Sequence, residues 1–134
     1  MRDVILVTGP PCSGKTSLAH FLADDHEVVD YDDIAGGHRQ FSEDTEAEVQ
    51  RRLDRIAADP EARAVVIRGL PIGADREQLA DRLGVSRVIV VTTPQRECRA
   101  RAKRERPSGT QKAIGYWFWR FTPSEHDEHV SDWW

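Results

Sequence analysis

Gly9-Pro10-Pro11-Cys12-Ser13-Gly14-Lys15-Thr16, directly after the apolar run Val4-Ile5-Leu6-Val7, is the stretch whose reading decides the fold. It fits the spacing G-x-x-x-x-G-K-[ST] in the setting that spacing requires, a strand before it and a helix after it. A loop that turns several backbone N–H groups inward at once needs positions without a side chain, and Gly9 and Gly14 provide them. Lys15 adds a mobile point charge, and Thr16 puts a hydroxyl in the first turn of a helix whose N-terminus attracts anions. Pro10, Pro11, Cys12, Ser13 and Ser17 complete the loop and that first turn. The stretch therefore reads as a P-loop, a cradle for the phosphates of ATP or another nucleoside triphosphate, with Lys15 reaching the β- and γ-oxygens and Thr16 placed for Mg²⁺.

Outward from the loop, Leu18, Ala19, Phe21 and Leu22 repeat at helical spacing and stop at Asp24-Asp25-His26. Val28-Val29 is a short strand ending in Asp30-Tyr31-Asp32-Asp33, and Gly36 to Gln40 is a polar loop. Between Ser42 and Ala58 the apolar residues Val49, Leu53, Ile56 and Ala57 share one face of a charged helix. Ala64-Val65-Val66-Ile67 is a strand of the kind covered on both faces, and a helix over 75–83 closes at Gly84. Val88 to Val91 is a fourth strand, and Thr93-Pro94 opens a helix that runs to about Glu105. Ile114, Trp117, Phe118 and Phe121 fall on one face of a last helix over 110–121, and the acidic tail after Ser124 reads as loose. Strands alternating with helices predict one α/β domain over residues 1–134, a three-layer sandwich with a small parallel sheet of about four strands. Its core would span 1–106, followed by an aromatic helix and tail over 107–134.

The 134 residues suffice for one buried core but leave no room for an added substrate domain. A net charge of −4 argues against general nucleic-acid binding, so any basic surface is local. No apolar run approaches the roughly 18 residues of a membrane span. The two cysteines, Cys12 and Cys98, and the absence of a signal peptide before the first strand point to a cytoplasmic protein with reduced thiols.

With these motifs in view, residues 3–106 resemble the small P-loop kinases, the group of adenylate, shikimate and gluconate kinases and the phage-type polynucleotide 5′-kinases. Asp30-Tyr31-Asp32-Asp33-Ile34 is similar to the Asp-Asp segment after the second strand of polynucleotide kinases, and the resemblance assigns to Asp32 the orientation and deprotonation of the acceptor hydroxyl. Val66-Ile67-Arg68-Gly69-Leu70-Pro71 resembles the Asp-Gly-Phe-Pro segment of adenylate-kinase-like proteins, with Arg68 where an Asp would support Mg²⁺. That departure leaves the second acidic contact to Asp30, Asp32 or Asp33. The run Arg96 to Arg106 looks like an arginine-bearing lid. The kinases also continue into a further strand and a loop over the adenine base, for which the residues after Gly109 offer no obvious counterpart. The short P-loop core with an aromatic C-terminal helix is similar to small ATP-binding proteins encoded by actinobacterial phages.

Phosphoryl transfer needs a held donor, a metal, cations and an oriented acceptor. Lys15 and the loop amides hold ATP, Thr16 and Asp32 hold Mg²⁺, Asp32 orients the acceptor, and Arg99, Lys103 and Arg106 share the lid face expected at the phosphates. Asp33 and Arg39 are candidates for the substrate. The bland readings remain open beside these: solvated turn residues at 30–33, a solvated basic helix, a surface Arg39, and Cys12 as a small filler. His126, Asp127, Glu128 and His129 are adjacent on a tail and cannot all face one ion. The preferred function is an ATP-dependent phosphotransferase acting on a nucleotide or a polynucleotide 5′-hydroxyl end. The alternatives are an ATP-binding, weakly hydrolysing accessory module that meets a protein partner through Trp117, Trp119, Trp133 and Trp134, and a kinase of a small metabolite or antibiotic.

Overall fold

A computed structural model describes residues 1–35, 42–105 and 109–131. The chain runs β1 (Asp3–Thr8), α1 (Lys15–Ala23), β2 (Glu27–Asp30), α2 (Tyr31–Ile34), α3 (Glu43–Ala58), β3 (Arg63–Arg68), α4 (Gly73–Leu83), β4 (Arg87–Val91), α5 (Gln95–Glu105), α6 (Gly109–Arg120) and β5 (Asp127–Val130). All strand pairs are parallel, in the order β2-β3-β1-β4-β5. The chain leaves β1 toward one edge of the sheet and β4 toward the other. The carboxyl ends of these two neighbours therefore open the crevice in which α/β sheets bind ligands.

Both faces of the sheet are covered, which is why β1, β3 and β4 read as unbroken apolar runs. Val4 and Leu6 of β1 face α3 and α4, packing with Val49, Leu53, Ile56 and Leu83. Ile5 and Val7 point the other way onto Leu18, Ala19 and Ala23 of α1. Ser42 caps α3 by accepting from the backbone N–H of Thr45, and the left-handed Gly84 closes α4. Among the described residues no helix is long and apolar enough to cross a membrane.

The sheet has five strands rather than four, and the tail expected to be loose supplies the fifth. Asp127 to Val130 pairs with Val88 to Val91. Its sequence, Asp-Glu-His-Val, has no strand pattern because an edge strand with charged neighbours is held by polar contacts instead. Arg87 pairs with Glu128, and Arg76 of α4, fully buried, pairs with the equally buried Asp127 through Nη2 to Oδ2 at 2.6 Å and Nε to Oδ1 at 3.1 Å. The further strand that the resemblance calls for is thus present.

Candidate nucleotide and phosphoryl-transfer site

The loop from Gly9 to Gly14 leaves the end of β1 inside the β1–β4 crevice. A Cβ on Gly9 would stand 2.9 Å from Ser13 Oγ and 3.1 Å from the carbonyl oxygen of Val91, so the loop closes on β4 only without one. Gly14 is left-handed, with φ 95°, and begins α1 with no side-chain cap. The first N–H groups of α1 are therefore left for an anion. Cys12 also takes a positive φ, 62°, and lies against Cys98, Ala102 and Ile114. Burial pushes the Cys98 thiol up to about 11, which makes it a packing group.

Side chains from β4 onward brace the loop. Thr93 donates from Oγ1 to the carbonyl of Ser13 at 2.7 Å, fully buried. Arg101 of α5 donates from Nη1 to the carbonyl of Cys12 at 3.2 Å, with Glu97 4.0 Å from its Nη2. Burial works against the Arg101 charge, and Glu97 offsets part of that cost. Among the described residues Ser13 Oγ is buried without a hydrogen-bond partner, which leaves a donor and acceptor for a ligand in the cradle.

Charge is gathered at the head of α1. Lys15 donates to the Pro10 carbonyl at 3.2 Å, curled over its own loop. Burial lowers its pKa, and the carboxylates of Asp32 and Asp30 oppose that shift. Asp30, 5% exposed at the end of β2, lies 3.5 Å from Thr16 Oγ1 and accepts from the backbone N–H of Asp32 at 3.1 Å. Burial raises its pKa, the charges of Asp32 and Asp33 raise it further, and the Asp32 N–H and Lys15 act the other way. A cation beside Asp30 and a polyanion beside Lys15 would each restore the charged form that burial disfavours. An unpartnered Ser13 Oγ, an uncapped helix start and a hydroxyl beside a buried carboxylate fit Mg²⁺ with a triphosphate, since Mg²⁺ takes one or two protein oxygens and completes its shell with phosphates and water.

Several expected residues lie elsewhere. Of Asp30, Asp32 and Asp33, it is Asp30 that stands beside Thr16, because it ends the strand, whereas Asp32 and Asp33 start α2 and are exposed. Arg99 does not face the loop: its Nη1 donates to the backbone carbonyl and to Oε1 of Gln111 on α6, both at 3.2 Å. Lys103 is exposed. Among the described residues the arginine that meets the P-loop is Arg101, which lies off the face of 99, 103 and 106. The signal was there: Cys98 and Ala102 mark the buried stripe of α5, and position 101 adjoins both. Thr93, read only as a helix cap, and Arg76 were missed as well. Arg68 is bound to Glu46 at 3.3 Å. Trp117 is a packing residue, 6% exposed, whose Nε1 donates to the Gly69 carbonyl at 2.8 Å and whose ring stacks on Phe121. Trp119 is 81% exposed. Arg39, Arg106, Trp133 and Trp134 lie outside the described residues.

A parallel sheet in this order, with the phosphate loop between β1 and α1 and a basic helix after β4, is the fold of the small P-loop kinases. The chain is similar to the crystal structure of a gluconokinase from Sinorhizobium meliloti 1021, with TM-score 0.69 and 15% identity, covering 98% of this chain and 84% of that chain. It is also similar to an unliganded sugar kinase from Janibacter sp. HTCC2649, with TM-score 0.65, 18% identity, and 98% and 86% of the two chains covered. The shikimate kinase from Bacteroides thetaiotaomicron aligns over 88% of this chain and 76% of its own, with TM-score 0.55 and 14% identity. At these identities the likeness is one of fold. No protein-family model and no curated protein sequence matches the chain.

Proposed function

We propose that this chain is an ATP- and Mg²⁺-dependent phosphotransferase that acts on a hydroxyl. The observation that carries the reading is the uncapped start of α1, ringed by Lys15, Thr16, Asp30 and the unpartnered hydroxyl of Ser13. The loop amides and Lys15 hold the donor phosphates, Arg101 fixes the loop through the Cys12 carbonyl, and Thr16 with Asp30 holds the metal. Mg²⁺, when bound, neutralises charge on the phosphate oxygens. Asp32, exposed at the mouth of the cleft and close enough for its charge to act on Lys15, orients the acceptor hydroxyl and takes its proton. The acceptor oxygen bonds to the γ-phosphorus as the bond from that phosphorus to the β–γ bridging oxygen breaks, leaving a phosphate ester and ADP.

For the acceptor, the preferred class is the 5′-hydroxyl of a polynucleotide or a nucleotide, and the second is a small polyhydroxylated molecule of the kind the gluconokinase and sugar kinase names indicate for those proteins. The accessory-module reading draws on Arg68 and on the adenine loop without an obvious counterpart; β5 supplies a further strand and leaves both points standing. Labelled ATP with Mg²⁺, offered to 5′-hydroxyl DNA and RNA, nucleoside monophosphates and a panel of sugars and sugar acids, tests this. Label on an acceptor with wild type, lost in Lys15→Ala and strongly reduced in Asp32→Asn, is the expected result. Nucleotide binding with no labelled acceptor, and slow hydrolysis unchanged by Asp32→Asn, would replace the kinase by the accessory ATP-binding module.

A further inference from the structure

The outer face of α6 carries the largest exposed aromatic surface among the described residues, with Trp119 at 81% and Tyr116 at 55% exposure. Between this face and α5 lies a shallow, open trough of about 420 Å³ lined by Arg99, Gln111, Lys112, Gly115, Tyr116 and Trp119. Its charge is one-sided. Residues 109–120 include Lys112 and Arg120 and no carboxylate, in a chain whose net charge is −4. Elsewhere the arginines are mostly neutralised: Arg51 and Arg52 by Glu48, Arg55 by Glu27, Arg63 by Asp25, Arg82 by Asp54, Arg87 by Glu128. Around the trough the cations are held by neutral groups. Arg99 donates to Gln111 and, with the Gln95 amide turned to satisfy both groups, to Gln95 Oε1 from Nε at 3.2 Å and Nη2 at 2.9 Å. Arg120 donates to Tyr116 Oη at 2.8 Å and lies 5.1 Å over that ring.

We propose that the α5–α6 trough binds single-stranded nucleic acid, with bases on Trp119 and Tyr116 and phosphates on Lys112, Arg99 and Arg120. The inference deepens the polynucleotide form of the function above and rests on it. Arginines held by neutral groups have no carboxylate competing with a polyanion, and exposed indole and phenol faces suit bases, which stack without regard to sequence. The Tyr116 and Trp119 centroids are 6.2 Å apart and tilted by 41°. That is wider than the roughly 3.4 Å per nucleotide of a stacked strand, so each ring serves one base of an extended segment. An acidic peptide would match the cations and leave the indole face unused. Gly115 leaves room for the Arg99 guanidinium, since a Cβ there would lie 2.7 Å from Arg99 Nη2. Arg99 and Arg101, two residues apart on α5, leave the helix roughly 200° apart, one toward the trough and one toward the P-loop. A strand in the trough is therefore held by the same helix that braces the phosphate loop.

The test is anisotropy of fluorescein-labelled single-stranded DNA and RNA 12-mers, with the matching duplex and a poly-glutamate peptide as comparators, at low and moderate salt. Single strands are expected to bind more tightly than either comparator. Trp119→Ala should weaken binding roughly tenfold, in line with the loss of one stacked base. Lys112→Glu should weaken it and flatten its salt dependence. Both variants should melt as wild type does and still bind a fluorescent ATP analogue. Equal binding by duplex or poly-glutamate, or no change in Trp119→Ala, overturns the proposal, as does a wild-type dimer in sedimentation that Trp119→Ala abolishes, which assigns the face to a second copy. Strand binding that survives Lys15→Ala without phosphate transfer by wild type would keep the trough and remove the polynucleotide as acceptor.

Discussion

Replacing Arg76 by Met should be among the most damaging substitutions outside the P-loop. Its guanidinium makes five hydrogen bonds: two to Asp127, one each to the carbonyls of Leu70 and Pro71 at 2.9 Å, and one to Thr122 O at 2.6 Å. It also lies 5.2 Å from the Phe121 ring centroid. Met retains the volume and removes all five bonds, leaving the Asp127 carboxylate, 1% exposed, with the Ser124 N–H at 2.8 Å as its one partner among the described residues. Breaking one side of a buried pair costs about 3–5 kcal/mol, against a total stability of about 5–15 kcal/mol. For a domain of this size the melting temperature should fall by roughly 10–20 °C. Urea unfolding followed by circular dichroism gives the free energy. Arg76→Met combined with Asp127→Leu should recover part of the loss, because no buried charge is then left alone, while the carbonyls of Leu70, Pro71 and Thr122 still lack their donor. A single variant within 1 kcal/mol of wild type, or a double variant as unstable as the sum of its parts, would refute the account of how β5 is held.

Gly9→Ala puts a methyl group against Ser13 Oγ and the Val91 carbonyl, so it should abolish binding of a fluorescent ATP analogue while the circular dichroism spectrum stays native; retained affinity would show that the loop does not close on β4 as described. Asp3 accepts from Ser86 Oγ and from His26 Nε2, both at 2.8 Å, and these bonds hold its pKa below the ordinary 3.8. A carboxylate depressed in the folded state contributes stability above its unfolded pKa and loses it as pH falls through the folded value. The stability gap between wild type and Asp3→Asn should thus close as pH falls below about pH 4; a gap unchanged at pH 3 would mean the carboxylate charge contributes nothing there.

What the sequence made legible follows the kind of signal each element carries. The P-loop and the strands β1, β3 and β4 are local or repetitive patterns, and both appear in the structure with their neighbours in register. β5 is different. Its four residues gain their strand geometry from pairing with β4 and from Arg76, which lies 51 positions away in sequence. No window around residue 127 contains that information, and a buried arginine in α4 looks, on its own, like one more surface charge. Ion pairs of high sequence separation are the part of a fold that periodicity cannot report.

Helix α5 carries its signal in the few apolar residues rather than in its many cations. Counting cations on α5 favours the face of residues 99 and 103, where charge is most regular. The buried face of a helix is set by its apolar residues, however few, and here they are Cys98 and Ala102. Once that stripe is placed against Cys12 and Ile114, Arg101 is carried to the P-loop carbonyl and Arg99 is carried to α6. Among the described residues of this short helix, Arg101 braces the Gly9–Gly14 loop and Arg99 turns away from it to α6. The strand site proposed for the α5–α6 trough draws on that second arginine, with Arg99 at its edge.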